Sequence, residues 1–69
     1  MMTYHVAKVV DGRIRYLAGL GQGGQLILGD RELAMTFHQM STATQFRDEL
    51  NEREGGREWF RVEWSEDVS

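Results

Sequence analysis

The chain has 69 residues, a net charge of −3 and no cysteine. That length makes one domain, and the lack of cysteine excludes a disulfide framework and any thiolate metal site. Chains this short often need a staple, so stability has to come from an apolar core, with help from a partner or a second copy left open.

The charge is unevenly placed. Residues 1–47 carry Lys8, Arg13, Arg15, Arg31 and Arg47 against Asp11, Asp30 and Glu32, a balance of +2. Residues 48–69 carry Arg53, Arg57 and Arg61 against Asp48, Glu49, Glu52, Glu54, Glu58, Glu63, Glu66 and Asp67, a balance of −5. An acidic C-terminal third speaks about partners rather than about fold. No signal-peptide pattern, long apolar run or basic amphipathic segment is present, so a cytoplasmic protein without a membrane partner is expected.

Thr3–Val10 and Arg13–Ala18 read as strands joined by Asp11-Gly12. Asp-Gly between such runs signals a two-residue type I′ hairpin. Val9 then opposes Ile14, Ala7 opposes Tyr16 and His5 opposes Ala18. That mostly apolar face is expected to meet a helix. The other face pairs Val10 with Arg13, Lys8 with Arg15 and Val6 with Leu17. It carries a small basic patch, open to reading as a phosphate contact or as a solubilising face.

Gly19, Gly21 and Gly24 match G-x-G-x-x-G literally. The dinucleotide fingerprint needs a helix directly afterwards and a βαβ unit around it. Gln25-Leu26-Ile27-Leu28 follows instead, so the glycines are expected to form a hairpin connection. Leu26–Leu28 reads as a third strand. For Arg31–Met40 both a short helix and a strand fit; a turn around Asp30–Leu33 and a short strand near Met35–Phe37 are favoured.

Met40–Gly56 is the one segment with clear helix signals. Ser41 or Thr42 can cap its start, and Gly55-Gly56 can stop it. Ala43, Phe46 and Leu50 form an apolar stripe. Asp48, Glu49 and Glu52 point the other way, and Glu49 can pair with Arg53. Trp59–Ser65 reads as a closing strand, with Phe60, Val62 and Trp64 on its inner face. Trp59 falls on the outer or edge side, either packed against the sheet edge or serving as an interface anchor.

The predicted fold is α+β: a small antiparallel sheet of three or four strands with one helix packed on one face, in the order β-β-β-(β)-α-β. The expected core is Ala7, Val9, Ile14, Tyr16, Leu26, Leu28, Phe37, Ala43, Phe46, Leu50, Phe60, Val62 and Trp64.

His5 and His38 have no neighbours at metal-ligand spacing, so neither a metal nor another cofactor is expected. Ser41 has no base beside it, and a domain of this build leaves little room for a catalytic cleft. A non-enzymatic role is expected. Direct nucleic-acid binding is disfavoured by the acidic balance, although Lys8, Arg13, Arg15 and Tyr4 would be its residues.

The pattern of Tyr4-His5-Val6-Ala7-Lys8, Arg15-Tyr16-Leu17-Ala18-Gly19, Ala34-Met35-Thr36-Phe37 and Ser41 to Leu50 resembles tiny proteins encoded by bacteriophages and prophages. In size, cysteine poverty and acidity the chain is similar to the anti-CRISPR proteins among them. The resemblance implies a role in the bacterial host's cytoplasm, with a host protein or ribonucleoprotein complex, such as a CRISPR effector, as partner. It implies that carboxylates stand where nucleic-acid phosphates would lie. Oriented carboxylates can pair with the Lys and Arg lining such a groove. The partner-binding residues expected on this reading are Asp48, Glu49, Glu52, Glu54, Glu58, Glu63, Glu66 and Asp67. A rival reading is an adaptor, dimerisation or antitoxin-like module that uses Trp59 and a sheet edge.

Overall fold

Asp11 and Gly12 turn the chain with φ of 52° and 77°, the paired positive values that a type I′ turn requires. The computed structural model describes residues 2–53, 55 and 59–66. The turn joins β1 (Met2–Val10) to β2 (Arg13–Leu20) in the expected register, with Ala7 opposite Tyr16 and Val9 opposite Ile14. A Cβ at Gly12 would meet nothing within 4 Å, so its backbone conformation alone demands glycine. Gly12→Ala is therefore expected to cost ~1–2 kcal/mol, seen as a fall of about 5–15 °C in the thermal midpoint.

β3 (Leu26–Gly29) pairs with β2, and β4 (Phe60–Glu66) pairs with β1. All pairings are antiparallel and the strand order is β3-β2-β1-β4. The helix α1 (Met40–Arg53) packs on one face. The fold is thus the small α+β domain that the pattern predicted.

The buried face is the opposite one on the hairpin. Val6, Leu17, Leu50 and Phe60 form the core cluster. Val9 and Ile14, expected inside, are 49% and 45% exposed. The hairpin alone offers two half-apolar faces, and β4 decides between them. Lys8 lies opposite Phe60 and Val6 opposite Val62, so this face gains two large apolar side chains. The other face receives Arg61 and Glu63, opposite Ala7 and His5. Burying that ion pair under the helix would cost several kcal/mol per charge.

Lys8 and Arg15 consequently share the helix-bearing face rather than a free outer patch. Both are half-buried, as long cationic side chains can be when their stems lie along apolar surface. The Lys8 ammonium lies 5.2 Å from the Phe60 ring centre and 5.7 Å from that of Trp59. Arg15 reaches Asp30 at 3.1 Å.

β2 shifts register between Leu17 and Gly19 and parts from β1 beyond Tyr16. The segment after the 3-10 turn Arg31–Leu33 fills the split. Met35 donates its N–H to the Leu17 carbonyl at 2.8 Å. Phe37 and Tyr4 exchange both backbone bonds, at 2.8 and 2.9 Å. The expected short strand near Met35–Phe37 is this single bridge. On the far face, His5 is buried, its Nδ1 3.0 Å from the Met35 carbonyl and its ring edge-on to Tyr16.

With Phe37 pinned to Tyr4, the chain turns into the helix at Met40. Ser41 and Thr42 therefore lie inside the first turn rather than at the cap, and Ala43 already donates to the Gln39 carbonyl. Gly55, at φ 91°, ends the helix region as expected; Gly56 lies outside the described residues. Arg53 donates to the Gly24 carbonyl at 3.0 Å instead of pairing with Glu49. This ties the glycine loop to the last helical turn. The loop also closes on itself through Gly21 to Gln25 at 2.7 Å and Gly24 to Gly21 at 3.0 Å.

Candidate partner-binding surface

Ala43 and Leu50 are the buried points of α1, with Phe46 packed beside the core and against Phe37. At 100° per residue, anchoring those positions fixes the outward stripe. That stripe runs from Met40 and Ser41 through Thr44 and Gln45 to Asp48, Glu49 and Glu52. The three carboxylates are exposed and occupy adjacent turns. Asp48 and Glu52 stand one turn apart, with Cβ atoms ~5–6 Å from each other. Arg47 binds Asp48 at 2.8 and 3.0 Å and offsets part of its charge.

The remaining expected acids do not all join this surface. Glu63 projects from the opposite side of the sheet, where Arg61 binds it at 2.7 Å. Glu66 ends β4 opposite Met2. Glu54, Glu58 and Asp67 lie outside the described residues. The alternation of β4 separates Glu63 from the helix acids, because neighbouring strand residues face opposite ways.

Trp59 precedes β4 and is 44% exposed, with the Lys8 ammonium over its ring. The more exposed tryptophan is Trp64, at 63%, although strand alternation predicts it in the core. It lies on the helix-bearing side opposite Tyr4, but the helix does not cover that end of β4. Strand alternation could identify its face but not the extent of the helix.

Among the described residues, no group of three or more His, Asp or Glu side chains is placed to hold a metal ion. No helix among them is long and apolar enough to cross a membrane. No protein-family model, curated protein or solved structure matches the chain.

Proposed function

We propose that this protein is a non-enzymatic inhibitor of the phage or prophage kind, similar to anti-CRISPR proteins. It binds a basic nucleic-acid groove of a host complex in the bacterial cytoplasm through the outer face of α1. The observation that carries this reading is the stripe of Asp48, Glu49 and Glu52, exposed together on a helix whose other side is anchored in the core. A pre-formed helix presents these carboxylates without a further ordering cost. Glu63, on the opposite side of the sheet, is not part of this surface.

The test is binding to purified CRISPR effectors and other nucleic-acid-handling complexes, in low and high salt, with nucleic acid as competitor. Binding is expected to weaken as salt rises and to be displaced by the complex's own nucleic acid. The variant D48N/E49Q/E52Q is expected to lose at least about tenfold in affinity, since charge-assisted bonds contribute ~1.5–3 kcal/mol each. Equal binding by wild type and variant would refute the acidic-face reading.

A second reading, a protein-binding adaptor, draws support from the exposed aromatic at the β4 edge. It requires binding that is insensitive to salt and to the helix substitutions.

A further inference from the structure

β4 is an edge strand, and its hydrogen-bonding groups are unevenly used. In an antiparallel ladder, successive residues direct their backbone groups alternately toward and away from a given neighbour. Tyr4 exchanges its backbone bonds with Phe37, on the side away from β4. Its partner Trp64 must therefore direct its own N–H and C=O outward. Phe60 has the same parity, and Asn51 confirms its direction. The Asn51 Oδ1 accepts from the Phe60 N–H at 2.7 Å, and Nδ2 donates to the Phe60 carbonyl at 3.2 Å.

Val62 and Glu66 share this parity. The edge thus offers outward groups at Val62, Trp64 and Glu66, while the helix occupies those of Phe60. No described residue pairs with this outer edge beyond Phe60.

We infer that this edge binds a second copy of the chain, pairing β4 with β4 antiparallel about a two-fold axis at Trp64. The three open positions are evenly spaced and centred on Trp64, so the set maps onto itself under that axis. Val62 meets the partner's Glu66, and Trp64 meets the partner's Trp64. Each such pair exchanges both backbone bonds.

The alternatives fit less well. An axis at Glu63 sets two carboxylates directly opposite, which is destabilising, and brings Glu66 against a Phe60 already held by Asn51. An axis at Val62 sets Trp64 against that same occupied residue. With the axis at Trp64, Glu63 faces the partner's Ser65, whose hydroxyl is already linked to Thr3 at 3.2 Å. The exposed indole of Trp64 meets its own copy at the end of the helix-bearing face that the helix leaves uncovered. The acids of α1 stay outside the joint, so the inference stands apart from the proposed target.

The chain has no cysteine, so single-cysteine variants report the register directly. With the axis at Trp64, the two copies of that residue have Cα atoms about 5.5 Å apart, inside the range a disulfide spans. Two copies of Val62 would stand about 13 Å apart along the strands.

The experiment combines sedimentation of the wild type with mild oxidation of Trp64→Cys and Val62→Cys. The expected result is a dimeric wild type, with Trp64→Cys joining at least about tenfold faster than Val62→Cys. Trp64→Arg, which sets like charges at the axis, is expected to give a folded monomer by circular dichroism and sedimentation. A wild type that stays monomeric at high micromolar concentration would overturn the inference, as would faster joining by Val62→Cys.

Discussion

Phe60→Ala is expected to lose ~3–5 kcal/mol of stability, the range for removing a large buried aromatic side chain. Phe60 is 2% exposed and sits in the core with Val6, Leu17 and Leu50. A domain of this size has only about 3–10 kcal/mol in all, so the variant should be largely unfolded or close to it. Ile14→Ala removes an aliphatic side chain that is 45% exposed on the other face, and about 1 kcal/mol or less is expected. Urea unfolding of both variants, with Phe60→Leu as a milder step, tests which face the helix covers. Equal losses in Phe60→Ala and Ile14→Ala would place the core on the wrong side of the sheet.

That comparison marks where the sequence is legible. The hairpin register follows from Asp11-Gly12 because a two-residue turn leaves one way to align its strands. The helix span follows from the apolar spacing of Ala43, Phe46 and Leu50 and the stop at Gly55. Which side of the hairpin is buried does not follow from the hairpin. Lys8 opposite Arg15 reads as an outer face, yet long cationic side chains can lie across apolar surface and keep their heads in water. The choice depends on β4, some fifty residues further along, which adds Phe60 and Val62 to one face and Arg61 and Glu63 to the other.

The acids show the same division between local and distant information. Helical spacing alone groups Asp48, Glu49 and Glu52. Assigning Glu63 to them required knowing how β4 turns relative to α1, and strand alternation places it on the far side. Alternation with Phe60 and Val62 predicts Trp64 in the core. Its face is right, but the end of β4 extends beyond the helix's cover. The bond between Asn51 and Phe60 has no sequence signature, because an asparagine late in a helix reads as ordinary surface.

Asn51 is nonetheless the residue that fastens the end of the helix to the start of the edge strand. Its amide satisfies both the N–H and the C=O of Phe60, as a neighbouring strand would. Asn51→Ala leaves both groups without their partners at a partly buried position, and a loss of ~1–3 kcal/mol is expected. Asn51→Asp should do no better, because a carboxylate can accept from the Phe60 N–H but sets oxygen against its carbonyl. Two readouts distinguish this role from generic loosening. Chemical denaturation gives the overall loss, and amide exchange should speed up at Phe60 more than at His5, which pairs with Glu63 inside the sheet. If Asn51→Ala falls within about 0.5 kcal/mol of wild type, as for an ordinary surface change, and Phe60 exchange is unaltered, the clamp contributes nothing. If Asn51→Ala also frees Phe60 for sheet pairing, an axis at Val62 becomes available beside the one at Trp64, and Val62→Cys should begin to join in that background.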